Sequence, residues 1–200
     1  CIRDSSERSP VRKSFTRANL YAGGALLGHA MAANMLFDLP ADNPRAPYPW
    51  LPPDFRLEDQ RGTALEEGER NALVRCEAAE RAATPQASFI EYFWSGIPQV
   101  PGDGTAALHV PVTPHLGNRI GHVQGGLLLG LAMRAAGAAT APHMRLSGIS
   151  AYYVSPGLPP AIDVHAEVVQ RGRSLAVVQT RITGATGKLV LHATSQHMLV

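Results

Sequence analysis

The stretch NRIGHVQGGLLLGLAM, residues 118–133, holds the residues with the clearest potential for chemistry. Gly125 and Gly126 open an apolar run that contains no carboxylate, and its composition predicts a helix that starts at the two glycines. The first amides of a helix have no acceptor within it and carry partial positive charge. Glycine also lets another group approach the backbone closely. The pair therefore predicts a binding site for an electron-rich group at the start of the helix. The alternative is that the two glycines only allow the helix to pack tightly against a sheet.

The bulk composition excludes several classes of function. The net charge is +2 and 17% of the residues are charged, against about 25% in an average domain. Without clustered Lys and Arg, nucleic acid is not expected as the partner. No apolar run reaches the roughly 18 residues of a membrane span. The polar N-terminus does not resemble a secretory signal, and the two cysteines lack metal-site spacing, so we expect a cytoplasmic protein.

The N-terminal half is predicted to be helical and rich in proline. Thr63 with Glu66, and Ser88 with Glu91, have the spacing of a capping box. We expect a flexible segment (1–17), a buried helix (20–37), an extended proline-rich connector (38–62), a covering helix (64–83) and a short helix from Ser88.

The C-terminal half is predicted to form an antiparallel sheet. Apolar and polar residues alternate with the period of strands over 105–112, 147–154, 161–169, 174–182 and 188–194. Gly172 and the GATG of 184–187 lie in two of the links, which favours hairpins. A helix that is apolar on nearly every side must be surrounded, and a curved sheet can do that. The pattern predicts an α+β fold.

An internal repeat links the two halves. Residues 23–33, GGALLGHAMAA, align with residues 125–135, GGLLLGLAMRA. We interpret the first segment as the helix of a partial second copy of the domain, paired with the other helix within one chain.

The region from Ser88 to Val200 resembles the hotdog-fold thioesterases of the phenylacetate-pathway and 4-hydroxybenzoyl-CoA type. The motifs that carry the resemblance are TPHLGNRIGHVQGG, AYYVSPG and EVVQRGRSLAVVQTRITGATGKLVLHATSQHML. The resemblance implies the hotdog fold, in which an antiparallel sheet wraps a long central helix, here as a possible degenerate double hotdog. It also implies side-by-side subunits with acyl-CoA in a groove across the dimer.

By this resemblance, the amides at Gly125 and Gly126 would stabilise the oxyanion that forms when a thioester is attacked, and Asn118 would shape the preceding loop. Two departures matter. Gln124 stands where the family has a histidine and can donate to a carbonyl but cannot shuttle a proton. Met133 stands where the family has a catalytic Asp or Glu, and the matching position in the first copy is Met31.

Several side chains have both a functional and a structural interpretation. His122 could replace the missing base because imidazole titrates near neutrality, or it could be a solvated loop residue. His29 could lie in a paired site, but a core histidine is the simpler interpretation. His115 is expected on the loop surface, and Met31 and Met133 in the core.

The charged candidates have similar alternatives. Arg134 needs a partner, and we favour a carboxylate across a dimer interface over a substrate group. Arg171 and Arg173, on either side of Gly172, suit a CoA phosphate or are exposed turn residues. Tyr153 and Tyr152 could line an acyl pocket or belong to the core.

We therefore predict an N-terminal region over 1–87 and a hotdog domain over 88–200. The leading function is hydrolysis of an acyl-CoA without a cofactor, by a homo-oligomer. The alternative is a non-catalytic acyl-CoA-binding or structural subunit, which the missing carboxylate favours. A hotdog hydratase ranks last because its Asp and His pair has no counterpart.

Overall fold

The computed structural model of the chain describes residues 12–36, 67–85, 87–94, 96–118 and 121–199. The chain divides into two units, Cys1–Leu57 and Glu58–Val200. The predicted boundary between residues 87 and 88 stays a prediction of where the hotdog domain itself begins. No helix of the described residues is long and apolar enough to cross a bilayer.

The described part of the first unit is a β-hairpin, so the helix predicted over 20–37 is wrong. Strand β1 (Arg12–Ala22) pairs antiparallel with strand β2 (Ala25–Leu36). Gly23 and Gly24 form the turn with φ of 55° and 79°. A two-residue turn with positive φ at both positions matches the twist of the flanking strands, and this outweighs the helical tendency of the run.

The hairpin also changes three further expectations. The flexible segment expected over 1–17 is wrong for residues 12–17, which lie in β1, while residues 1–11 lie outside the described residues. Met31 is 76% exposed, so its predicted place in a core is wrong. His29 lies on a strand and not on a helix. The second hotdog-like copy is not confirmed.

Two helices precede the main sheet. Helix α1 (Glu67–Ala82) agrees with the covering helix predicted over 64–83, although Thr63 and Glu66 lie outside the described residues, as does the connector 38–62. Helix α2 (Phe89–Phe93) begins with the predicted capping box. The Arg75 guanidinium of α1 donates to the carbonyl oxygen of Phe93 at 3.0 Å, which ties the two helices together.

A six-stranded antiparallel sheet forms most of the second unit. In spatial order the strands run β3, β4, β6, β7, β8, β5. Their bounds are β3 Gln99–Gly102, β4 Thr105–Pro111, β5 Met144–Tyr153, β6 Ala161–Arg171, β7 Leu175–Gly184 and β8 Leu189–Leu199. The five predicted strands are confirmed; β5, β6, β7 and β8 are longer than predicted, and β4 ends one residue earlier. Sequence reasoning missed β3, which is only four residues long and contains a proline.

Helix α3 (Gly125–Ala139) is the predicted helix and provides the centre of the core. Leu131 is fully buried against apolar side chains that point inward from the sheet, such as Ile162 and Val178. On the side of Trp94, a Cβ added to Gly130 would lie 2.6 Å from the indole ring. Glycine at this position therefore lets Trp94 pack directly on the helix.

His115 is not a loop surface residue as predicted. It lies in a short 3-10 turn, Pro114–Leu116, and is only partly exposed. Its Nε2 lies 3.1 Å from the carbonyl oxygen of Phe93, and its Nδ1 lies 2.8 Å from the Thr113 hydroxyl. Burial lowers the pKa of His115. The ring therefore joins α2 to the loop that leads into α3.

Candidate functional site

The entrance of α3 presents unpaired backbone amides, as the Gly-Gly pair predicts. Gln124 is the N-cap, and its Oε1 accepts from the Leu127 amide at 3.2 Å. The amides of Gly125 and Gly126 donate to no other described residue. These two donors lie at the positive end of a fifteen-residue helix. They can bind a carbonyl oxygen or an oxyanion.

The loop before α3 is closed by Asn118, as expected. Its amide donates to the His122 carbonyl oxygen at 2.6 Å, and its Oδ1 accepts from the His122 amide at 3.1 Å. Gly121 completes the turn with a φ of 78°, a conformation that glycine adopts without strain. The loop therefore fixes the position of Gln124, and His122 lies two residues before it with a partly exposed side chain.

Tyr153 forms one wall of the entrance. Its hydroxyl donates to the Gly125 carbonyl oxygen at 3.1 Å, while its ring would lie 3.4 Å from a Cβ at Gly125. Burial raises the pKa of Tyr153, so the phenol stays protonated and remains a donor at neutral pH. More than half of the side chain is exposed, as is that of Tyr152. Of the two interpretations of these tyrosines, a place in the core is therefore wrong, and the lining of an acyl pocket stays a prediction.

A groove of about 600 Å³ runs along α3 toward its C-terminal end. Its walls come from α2, α3, the start of β5 and the end of β8, and they include Trp94, Gly130, Met133, Arg134, Leu146 and His197. Met133 is 37% exposed, so the expectation that it fills the core is wrong. The position that carries a carboxylate in the resembling family thus opens into this groove with a thioether.

Arg134 has its partner within the chain. Its Nη2 donates to Glu91 Oε1 at 3.1 Å, which corrects the expected carboxylate across a dimer interface. Burial lowers the pKa of Arg134, and Glu91 counteracts part of this shift. Nη1 is buried without a partner among the described residues. Sequence reasoning assigned Glu91 only to the helix cap, but the same carboxylate also anchors a guanidinium at the groove.

His197 is a groove residue that sequence reasoning missed. It is only 1% exposed, and its Nε2 lies 3.0 Å from the hydroxyl of the equally buried Ser195. Burial lowers the pKa of His197, which favours the neutral ring. The predicted strand ended at Thr194, but its alternation continues: Leu191, Ala193, Ser195 and His197 all point inward. If the alternation of the strand had been followed beyond Thr194, it would have identified His197 as an inward-facing residue.

The comparisons with known proteins support the fold of the second unit. Residues 113–198 match the family model described as the acyl-CoA thioesterase N-terminal domain. A Bacillus halodurans protein crystallised with CoA superposes with a TM-score of 0.60 and 19% identity, covering 69% of this chain and 97% of its own. The domain has the hotdog fold. The predicted resemblance to the hotdog thioesterases is thereby confirmed.

Two further structures with the hotdog fold are similar to this chain. The PaaI protein from the phenylacetic acid degradation operon of Escherichia coli has a TM-score of 0.53 and 18% identity, covering 66% of this chain and 94% of its own. A mutant of a thioesterase enzyme from Staphylococcus aureus has a TM-score of 0.53 and 16% identity, covering 56% and 98%. No curated protein matches the chain.

The hotdog domain does not bring the β6–β7 turn to the helix entrance. Beside the entrance, the Gly157 carbonyl oxygen accepts from the Val123 amide. Strand β6 starts four residues after Gly157 and ends at Arg171. At 3.3 Å per residue the strand is about 33 Å long. Arg171 forms a bidentate pair with Asp103 at 2.9–3.0 Å, and Arg173 is exposed. Their binding of a CoA phosphate stays a prediction, as does a role for Gly172.

Proposed function

We propose that the hotdog domain binds an acyl-CoA and hydrolyses its thioester to the free acid and CoA. The observation that carries the proposal is the pair of unpaired amides at Gly125 and Gly126, held between the Gln124 cap and Tyr153. The match of residues 113–198 to a family of acyl-CoA thioesterase domains supports the same reaction class. The CoA in the Bacillus halodurans structure supports the ligand by analogy of fold.

The chemistry of the entrance follows from its donors. When water attacks a thioester, the carbonyl oxygen becomes an oxyanion, and preorganised amides stabilise that charge more than they stabilise the substrate. Tyr153 holds the carbonyl of Gly125 and so keeps the first turn in place. Oε1 of Gln124 is engaged in the cap, which leaves its Nε2 as a further donor to the substrate.

One chain does not complete this site. Gly125 and Met133 are separated by about 12 Å along the helix axis, at 1.5 Å per residue, so one thioester cannot contact both the entrance amides and the groove beside Met133. We propose that a second copy supplies the missing half in a homodimer. Strand β5 is an edge of the sheet, and its exposed Tyr152 lies where another chain can pair.

A second candidate function is binding of acyl-CoA without hydrolysis. Met133 favours it, since a thioether in the groove cannot activate water. Both functions use the entrance amides, and they differ only in turnover.

Thiol release from short, long and aromatic acyl-CoAs distinguishes the two functions. Gly125→Pro removes one entrance amide at the first helical position, where proline is favoured, and the extended ψ of 134° at Gln124 accommodates a following proline. Loss of one oxyanion donor is expected to lower kcat by about 10²–10³-fold. Gly125→Ala is the matched control because it keeps the amide and places its Cβ at an ordinary contact distance from Tyr153.

The outcomes separate cleanly. Full turnover in Gly125→Pro with retained fold would contradict the role of the entrance. Saturable binding with no turnover on any substrate would establish the second function. His122→Ala in the same assay decides whether the loop histidine takes part in catalysis.

A further inference from the structure

The groove beside Met133 contains a titratable group that the proposed function has not used. Among the residues lining the groove, the ionisable side chains are Glu91, Arg134, Arg145 and His197. Glu91 is paired with Arg134, and the Arg145 guanidinium donates to the carbonyl oxygens of Pro142 and Met144. His197 is the lining residue of this set whose side chain can accept a proton near neutral pH.

We propose that His197 is the general base that activates water for thioester hydrolysis, in place of the carboxylate that Met133 replaces. The inference rests on the proposed function. It places the base on the end of β8, across the groove from α3, where no base is expected from the sequence resemblance.

The backbone fixes the position of the ring. His197 pairs with Leu146 of β5 on one side and with Ala176 of β7 on the other. Its side chain points inward, and it lines the same groove as Met133 and Leu146. The base therefore lies one strand in from β5, the edge of the sheet where a second copy is proposed to bring its helix entrance.

The Ser195 hydroxyl can accept a hydrogen bond from the tautomer that this role needs. When Nε2 carries the proton and donates to the Ser195 hydroxyl at 3.0 Å, Nδ1 keeps a free lone pair. Nδ1 makes no hydrogen bond with any described residue. A partner that fixes one ring nitrogen and leaves the other as the acceptor is the usual way in which a catalytic histidine is oriented.

The reaction balances with these groups. Nδ1 removes a proton from water while the water oxygen attacks the carbonyl carbon, and the oxyanion forms at the amides of the second copy. The carbon–sulfur bond then breaks, and the sulfur leaves with the proton from the imidazolium. The products are the carboxylic acid and the CoA thiol, and neither an oxidant nor a metal takes part in this balance.

The pH dependence has a defined direction. A protonated ring cannot accept a proton, so kcat/KM falls as the pH drops through the pKa of His197. Burial lowers that pKa, and the guanidiniums of Arg134 and Arg145 face the same groove. We call this fall of kcat/KM toward low pH the acid limb. Its midpoint is expected below pH 6.5, the ordinary pKa of histidine.

His197→Gln tests the proposal in the wild-type background. We expect kcat to fall by about 10²-fold or more, KM for the acyl-CoA to stay within about threefold, and the acid limb to disappear. His192→Gln is the matched control, because this histidine lies on the same strand but pairs with the exposed Tyr152. His192→Gln should keep the wild-type kcat and the acid limb of kcat/KM. Ser195→Ala removes one hydrogen bond from the ring, so it should lower kcat by about tenfold and leave the fall of kcat/KM at low pH in place.

Each result decides a different point. If the wild type releases no thiol, the proposed function fails. If the wild type is active and His197→Gln keeps its rate and its acid limb, the base is not His197. If His197→Gln does not fold, the wild-type profile still decides, because a kcat/KM that stays constant as the pH falls below 6.5 overturns the proposal.

Discussion

The two Gly-Gly segments of this chain have nearly the same sequence and opposite structures. Residues 23–33 form the turn and second strand of an exposed hairpin, while residues 125–135 form most of a buried helix. Gly23 and Gly24 adopt positive φ in the first segment. Gly125 and Gly126 open the helix in the second, after the capping side chain of Gln124.

The difference shows that the surroundings, more than the local sequence, select the structure. Small apolar residues have only weak preferences that tertiary contacts override. The first segment follows β1, which pairs with most of its residues. The second follows a loop that ends in an N-cap and is covered by the inner face of the sheet. Matched substitutions at equivalent positions can measure this difference.

The largest expected difference concerns Leu128 and Leu26, one of the two pairs of leucines that the segments share. Leu128→Ala opens a cavity in the core, where the side chain is 3% exposed, and should reduce the free energy of unfolding by about 2–5 kcal/mol. Leu26→Ala removes a side chain that is 56% exposed and should change it by about 0.5 kcal/mol or less. Urea unfolding followed by circular dichroism measures both. Equal losses of unfolding free energy in the two variants would contradict the exposed position of Leu26 in the hairpin.

A smaller difference is expected at the equivalent glycines Gly130 and Gly28. Gly130→Ala forces a Cβ to within 2.6 Å of Trp94, which costs about 1–3 kcal/mol. The better helix propensity of alanine returns about 1 kcal/mol. No atom lies within 4 Å of a Cβ at Gly28. Thermal unfolding should therefore show a lower Tm only for Gly130→Ala, and Trp94→Leu in the same chain should restore it.

The most local effect is expected at the hairpin turn. Gly24→Ala must adopt a φ near 79°, which costs an L-residue about 1–2 kcal/mol. The strand amides of β1 and β2 should then exchange their hydrogens about five- to thirtyfold faster, at 1.4 kcal/mol per tenfold. Gly126→Ala has an ordinary φ, and its Cβ would lie 3.1 Å from the capping Oε1 of Gln124, which has to shift by only a few tenths of an ångström. In this variant the α3 amides should exchange at the wild-type rate. Faster exchange in α3 after Gly126→Ala, without faster exchange in the hairpin after Gly24→Ala, would contradict the prediction.

The fold of the second unit could be predicted because several local signals agree. The α3 run, the cap of α2 at Ser88 and the alternation of five strands all indicate the same architecture. The hairpin could not be predicted in the same way, since the run after Gly24 lacks β-branched residues and its apolar period fits a helix. The pairing of β1 with β2 became visible only in three dimensions.

The site was predicted where it depends on one continuous stretch and missed where it depends on packing. Asn118, Gln124 and the Gly-Gly pair lie close in sequence and act together in the structure. The pair of Glu91 with Arg134 joins α2 to α3, and His197 reaches the groove from the last strand. No spacing rule connects residues that are separated so far along the chain.

The contact between Trp94 and Gly130 has a consequence for how this domain can diversify. The indole occupies the volume that any larger residue at position 130 would need, so a change at one position is viable only with a compensating change at the other. In related chains these two positions should therefore vary as a pair. A smaller side chain at position 94 would deepen the groove and so, under the proposed function, extend the range of acyl groups that it accommodates.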